Sequence, residues 1–519
     1  MPRAEDSSPG APPPPPRLHV ITTAILILAA VLFVGRAVPI FQKFTSTVTF
    51  AGSLDREEGF LVLQAQRLRS GETIYPSLED GPWLVGNYPP VYPAAVAALG
   101  GGTLAGARAI SLIAGLAICG MLIASARVHV GSGISGAIAA GYFLTTFEFA
   151  YWGPFARVDM LALALAFAGL LASQHARSRR GIVLAAALLA AAVFTKQTQV
   201  IAVLVAAVGL AWNGKRRGAL ELLAITSGIG AACGVVLLAM TGGEFWRHTV
   251  TYNANVMDWK QLVPWAKHLA RFSGIAIVAC FSAGCVAFAR RRDEACAPST
   301  DHAPILSLST VWLVAGCIEA LSLAKAGAAA NYLLDLQCAL AWWVAMRLGA
   351  AMSKWRQHGG DWRIAAVPWI LIGGMLATAI VPVPEGRWQI LSSVSRPAPG
   401  AAEGLAAIEE LVLSVEGEVL SEDPLPLMRL GRDVIYQPFI MSQLAREGKW
   451  DPAKFIAKID RSDFALVVTT QDLASAPVLF GFTPLMRDGI LSRYALVHRI
   501  SAGNVVYHAY MPKDGVRVD

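Results

Sequence analysis

Charge is scarce in this chain. Of its 519 residues only 15% are Asp, Glu, Lys or Arg, 55% are hydrophobic and the mean hydropathy is +0.51. That balance excludes an ordinary soluble globular protein and favours a polytopic membrane protein whose main solvent is the bilayer. Cysteine is sparse as well. Six of the seven (Cys119, Cys233, Cys280, Cys285, Cys317 and Cys338) fall in apolar runs and Cys296 lies in a basic loop, so neither a disulfide scaffold nor a zinc site is expected. HExxH, P-loop and GxSxG patterns are missing, which leaves ATP-driven transport and serine hydrolysis without support. The net charge of +7 and pI of about 9.1 would suit a nucleic acid only if basic residues covered an amphipathic domain. They lie between apolar runs instead, and no nucleic-acid partner is expected.

What the chain has is long apolar runs. A spanning helix needs about 20 mostly apolar residues, and eleven such segments fall near 20–40, 104–126, 131–150, 157–174, 181–197, 199–213, 219–240, 270–289, 304–324, 330–348 and 365–383. Arg127, "HARSRR" (175–180), "GKRR" (214–217), "RRRDE" (290–294) and "SKWRQHGGDWR" (353–363) occupy every second connection. By the positive-inside rule these turns and a proline-rich, disordered tail at 1–18 are cytoplasmic. The odd number of spans then leaves the carboxyl segment outside. "YPPVYPAAVAALGG" (88–101) is apolar but short and broken by prolines, so it reads as an interfacial or re-entrant piece of a long first outer loop, 41–103.

The expected architecture is therefore mainly α: a bundle of about eleven transmembrane helices over 19–383, followed by a small extracytoplasmic α/β domain at 384–519. In that domain "AAEGLAAIEELVLSV" reads as a helix, and "FALVVTT", "YALVHRI" and "NVVYHAY" read as strands.

On this topology a few charges stand where outer loops meet helices. Arg157, Lys196 and Lys325 sit at outer helix ends, where converging cations would suit a phosphate; singly, each also fits a side chain reaching to lipid phosphates. Asp159 follows Arg157 by two positions, which on a regular helix sends the two to nearly opposite faces. It either compensates the helix dipole or acts as a base or cation ligand. Asp55, Glu57 and Glu58 precede an amphipathic helix, so they either cap its start or supply a carboxylate that takes a proton from an acceptor hydroxyl. Tyr75, Trp83, Tyr88, Tyr92, Tyr252 and Trp259 in outer loops fit an interfacial belt or a sugar-binding edge. His248, Asn253, Asn255 and Asp258 share one outer loop, where the amides could read hydroxyls and the histidine is a solvated residue or a metal ligand.

In order along the chain, "LDREEGF", "GETIYP", "NYPPVYP", "ARVDMLALAL", "FTKQT" and "NYLLD", with the later stretch "VLSEDPLPLMRLGRDVIYQPFIMSQLAREGKWD", resemble the GT-C class of polytopic glycosyltransferases. That class contains protein O-mannosyltransferases, lipid A aminoarabinose transferases and many bacterial relatives. The resemblance implies a glycosyltransferase of the bacterial cytoplasmic membrane that uses a polyprenyl-phosphate sugar and an acceptor glycan, lipid or protein at the outer face. It implies catalytic acids at Asp159 and at Asp55 or Glu57/Glu58, since "DREEG" aligns in two ways. Phosphate contacts then fall to Arg157, Lys196 and Lys325, and substrate contacts to Asn87, Tyr88, Tyr92, Gln197 and Asn331. Relatives often carry a basic residue before the paired prolines; here Asn87 and Tyr88 precede Pro89 and Pro90. No cofactor is required by this reading, though it leaves room for a divalent cation. The competing reading is a secondary transporter or lipid flippase, which calls for internal repeats and mid-depth charges; a third is a non-catalytic envelope scaffold.

Overall fold

The protein is described from a computed structural model, covering residues 16–55, 57–293, 303–357, 362–380, 399–476, 481–503 and 505–515. Most of the expected tail, Cys296 and the boundary at 383/384 lie outside these residues.

Each of the eleven apolar runs overlaps a helix of the bundle. These are α1 (Pro16–Thr49), α4 (Leu104–Val130), α5 (Gly133–Thr145), α7 (Val158–His175), α8 (Arg179–Val193), α9 (Val200–Trp212), α10 (Arg216–Met240), α12 (Leu262–Asp293), α13 (Ala303–Glu319), α14 (Leu334–Gln357) and α15 (Trp362–Ile380). Among the described residues five stretches, Leu26–Thr49, Leu104–Val130, Val158–His175, Arg216–Met240 and Trp259–Val286, are long and apolar enough to cross a membrane. The run at 131–150 is two helices, because Thr146 stops α5 in extended backbone and accepts from the Phe149 N–H to start α6 (Phe147–Trp152). Helix boundaries elsewhere follow local chemistry: Thr103, Ser132 and Ser178 cap α4, α5 and α8, and Gly131, at φ 66°, ends α4 in the left-handed conformation.

Between apolar helices in lipid, close packing replaces the hydrophobic drive, so small residues set the helix separations. A Cβ on Gly115 would fall 2.6 Å from the Phe149 ring, one on Gly169 2.7 Å from Leu189, and one on Gly349 2.3 Å from Val130. Trp312, Phe167 and Trp342 fill the interior with ring centroids 5.2 Å and 5.8 Å apart.

The bundle has two chemically distinct ends. At one, His129 stacks edge-on with His175 at 4.6 Å, and Lys215 Nζ donates to the Ala176 carbonyl at 3.2 Å; these are the basic turns. The other end collects α2 (Glu58–Arg69), α3 (Val91–Leu99), the starts of α7 and α14 and the short segment α11 (Glu244–Trp246). The proline-broken stretch at 88–101 forms α3, whose nine residues span about 14 Å, too short to cross a bilayer.

The carboxyl segment carries α16 (Ala401–Leu413), β1 (Glu418–Ser421), α17 (Pro424–Arg429), α18 (Pro438–Arg446), α19 (Ala453–Asp460), β2 (Phe464–Thr469), α20 (Pro484–Arg493), β3 (Tyr494–Ala502) and β4 (Val505–Pro512). Its sheet has the order β1-β2-β4-β3, with β1 parallel to β2 and the other pairs antiparallel. The first loop is built into this domain. Trp83 exchanges backbone hydrogen bonds with Ile435 and Gln437 at 2.7 and 2.9 Å, and its ring packs against Phe455 in the domain core.

Candidate functional site

A chain of alternating charges runs across the end of the bundle that faces the first loop. Asp55 Oδ2 accepts from Arg157 Nη1 at 2.8 Å, Arg157 Nε lies 3.6 Å from Asp159 Oδ2, and Asp159 Oδ1 accepts from Lys196 Nζ at 2.9 Å. Asn331 Nδ2 donates to the same Oδ1 at 2.9 Å, and the Lys196 ammonium stands 4.5 Å from the Tyr332 ring centroid. Segments 102 and 37 residues apart in sequence thus meet at one carboxylate pair.

The expectation that Arg157 and Asp159 diverge is corrected here. Arg157 is not yet helical: at φ −129°, ψ 151° it is extended backbone just before α7, so its side chain turns back over the first helical turn and reaches both acids. Trp152 supports it, with the guanidinium carbon 5.3 Å from the ring centroid.

The three first-loop acids have separate fates. Glu58 is fully buried and saturated: it accepts from Arg108 Nε at 2.8 Å, Arg108 Nη2 at 2.6 Å, the Ala156 N–H at 2.8 Å and the Leu54 N–H at 3.0 Å. Arg108, equally buried, also donates to the carbonyls of Thr47, Phe50 and Gly52. This pair ties α2 to α4 and to the end of α1. Glu57 Oε2 accepts from Gln437 Nε2 at 3.0 Å and so reaches into the carboxyl domain. Asp55 alone among the three joins the Arg157–Asp159 chain; it also holds the Glu57 N–H at 3.3 Å and stays 17% exposed.

Lys325 stands beside this chain. Its ammonium donates to Asn253 Oδ1 at 2.7 Å, Asn253 Nδ2 donates to the Asn87 carbonyl at 3.0 Å, and Gln197 Nε2 donates to the same carbonyl at 2.8 Å. Burial, then the neighbouring Lys196 and Lys449 cations, bring its pKa from 10.5 down to about 8. Tyr88 lies close enough to Arg157, Asp159 and Lys196 to feel all three, and burial raises its phenol above its ordinary value. Tyr92 is elsewhere: it is fully buried, with its hydroxyl against the Ala107 carbonyl and Ser111, both at 3.1 Å. His248 is neither solvated nor open to a metal. It is buried, Nδ1 accepts from the Gly86 N–H at 2.9 Å, and Nε2 meets the Pro76 carbonyl at 2.8 Å. Burial and the Arg247 charge hold its pKa at about 4 against the pull of the Pro76 carbonyl. Trp83 and Tyr75 are also buried.

A divalent cation does not fit this arrangement. The Asp55, Asp159 and Glu58 carboxylates are each held by Arg157, Lys196 or Arg108, and no group of three metal-ligating side chains occurs among the described residues.

Asp55 also lines a cavity of about 240 Å3 that the carboxyl domain lines as well, through Glu422, Asp423, Phe439, Thr470 and Tyr507. Of the participants, Arg108, Tyr332 and Gln437 escape sequence reasoning. The one signal for Arg108 is a basic residue inside the first turns of an apolar run.

No family model and no curated protein matches the chain. Solved structures do. The chain is similar to ArnT from Cupriavidus metallidurans in its apo state (15% identity, TM-score 0.55) and bound to undecaprenyl phosphate (15%, 0.52), each comparison covering 92% of this chain and 97% of that one. It is also similar to the archaeal oligosaccharyltransferase AglB from Archaeoglobus fulgidus in complex with an inhibitory peptide and a dolichol-phosphate (12% identity, TM-score 0.53, 96% of this chain and 75% of that one). These neighbours are GT-C glycosyltransferases, and the fold expected from the sequence motifs is the fold this chain shares with them.

Proposed function

We propose that the chain is an integral-membrane glycosyltransferase that moves a sugar from a polyprenyl-phosphate donor to a hydroxyl of an acceptor glycan, lipid or protein. The observation that carries this is the Asp55–Arg157–Asp159–Lys196 chain at one end of the bundle, with Asp55 opening into a cavity shared with the carboxyl domain. In support, the neighbouring ArnT and AglB structures hold undecaprenyl phosphate and dolichol-phosphate.

Asp55 takes the acceptor proton, the freed oxygen attacks the anomeric carbon, and the bond to the donor phosphate breaks with its electron pair leaving on the lipid phosphate. Fixed cations stabilise that departing anion without a general acid. Arg157, Lys196 and Lys325 against Asp55 and Asp159 amount to three positive and two negative charges, and Lys325 meets an amide rather than a carboxylate. Its charge is the one left for phosphate. Asp159 and Lys196, both 2% exposed, hold Arg157 in place, while Asn87, Tyr88, Gln197 and Asn331 border the substrate. A direct displacement inverts the anomeric centre.

We place residues 19–383 in the bacterial cytoplasmic membrane with eleven crossings, the tail 1–18 in the cytoplasm, and the reacting end with the 384–519 domain outside. The alternation of basic turns supports that orientation. A transporter or flippase would concentrate charge at mid-depth on broken helices, whereas the ion-pair chain here lies at helix ends. Purified protein incubated with a panel of polyprenyl-phosphate sugars should release lipid phosphate from at least one; no release from any, with retained transport of intact lipid, would favour the flippase.

A further inference from the structure

The cavity beside Asp55 has walls from two sources. The first loop gives Ser53, Asp55, Glu57 and Phe60; the carboxyl domain gives Glu422, Asp423, Phe439, Thr470, Gly481 and Tyr507. Four of these side chains are carboxylic acids, and among the described lining residues there is no lysine, arginine or histidine. Two of the acids are built in place. Asp423 accepts from Tyr507 at 2.6 Å, Ser53 at 3.0 Å and the Leu425 N–H at 3.1 Å. Glu422 Oε2 accepts from the Thr470 hydroxyl at 2.8 Å and from the Thr470 N–H, and its carboxylate lies where a Cβ on residue 481 would stand 2.0 Å from Oε1. Only glycine leaves it that room. Arg157 pairs with Asp55 at 2.8 Å, and Arg157, Lys196 and Lys325 are not among the residues that line the cavity.

Asp55 thus belongs both to the chain of paired cations and to a cavity lined by acids. The volume of about 240 Å3 is below the roughly 300–1,000 Å3 of drug-sized ligand pockets, so it admits about one ring. Phe60, Phe439 and Tyr507 add aromatic rings to its lining, and such rings suit the apolar face of a sugar.

We propose that this cavity binds the acceptor and selects a hydroxylated ring bearing an amine, as in an amino sugar, against neutral and phosphorylated counterparts. The inference rests on the transferase reading for the word acceptor, and on the cavity alone for its chemistry. A protonated amine among carboxylates gains what a phosphate there would lose.

The test titrates glucosamine, N-acetylglucosamine and glucose 6-phosphate into the purified full-length protein at mildly acidic pH, by saturation-transfer NMR, alongside lipid-phosphate release from the donor. Glucosamine should bind at least tenfold more tightly than N-acetylglucosamine, with no binding of glucose 6-phosphate. Glu422→Gln should remove most of that preference. Val506→Trp, which fills the cavity from an exposed strand position, should abolish glucosamine binding. Equal binding of the three sugars, tighter binding of the phosphate, or glucosamine binding unchanged in Val506→Trp each overturns the inference. If lipid phosphate is released while the sugars bind alike, the inference fails and the transferase reading stands; if glucosamine is preferred but no donor is cleaved, the transferase reading fails and the amine site stands.

Discussion

Replacing Glu58 separates structure from chemistry within "DREEG". The Glu58 carboxylate holds five donors in a fully buried setting, two of them on a guanidinium that has no other carboxylate partner among the described residues. Removing one member of such a pair leaves a buried charge, at a cost of about 3–5 kcal/mol. Glu58→Gln therefore lowers the melting midpoint of the purified protein and its yield, while the folded fraction keeps lipid-phosphate release within about tenfold of wild type, since Glu58 touches no open space. Asp55→Asn does the reverse: near-native melting, because Arg157 retains Asp159, and a loss of about 10²–10⁴-fold, the range for a general base. The double change Glu58→Leu/Arg108→Met does not restore stability, because Arg108 also satisfies three backbone carbonyls. Melting followed by intrinsic fluorescence, with activity per folded molecule, decides it. A Glu58→Gln protein that melts like wild type yet is inactive would refute the assignment and move the reacting acid to Glu58.

Four further outcomes follow from the geometry. Lys325 is cationic below about pH 8 and neutral above it, so the KM for donor rises as pH passes upward through that value, and Lys325→Arg moves the rise to higher pH; a KM flat across that interval removes Lys325 from the phosphate site. The same lowered pKa makes the unfolded chain bind the extra proton between about 8 and 10.5, so this group favours the folded state increasingly as pH climbs through that window. Lys196→Ala and Asp159→Asn each lose about 3–5 kcal/mol by stranding a buried charge, whereas Lys196→Met/Asp159→Asn loses less than the sum yet stays inactive; additive losses in chemical denaturation would deny their coupling. Gln437→Ala deprives the Val85 N–H of its acceptor at 2.9 Å and Glu57 of one donor, at about 1–3 kcal/mol, and hydrogen exchange at Val85 accelerates.

Local pattern carried most of the fold. Apolar length marked the long helices of the bundle but not the break between α5 and α6, and period-two runs marked β2, β3 and β4, since both signals are written in neighbouring residues. The gathering of Asp55, Arg157, Asp159 and Lys196 at one end was legible too, because the positive-inside alternation assigns every helix end to a side. Side-chain partnership was not. Whether Arg108 meets Glu58 or a lipid headgroup depends on how α4 crosses α2, fifty positions away, and whether Arg157 faces Asp159 depends on one extended residue before α7. Tyr92 shows the same limit: its place in a tyrosine-proline motif suggests substrate, while the packing of α3 on α4 turns it into the interior.

The account's central claim is that Asp55 serves a lipid-phosphate donor held by the cations around it. Single-turnover release of lipid phosphate from a polyprenyl-phosphate sugar, compared between wild type and Asp55→Asn at saturating donor, tests it most directly. The account predicts unchanged donor binding with release slowed at least a hundredfold; equal release by both proteins contradicts it.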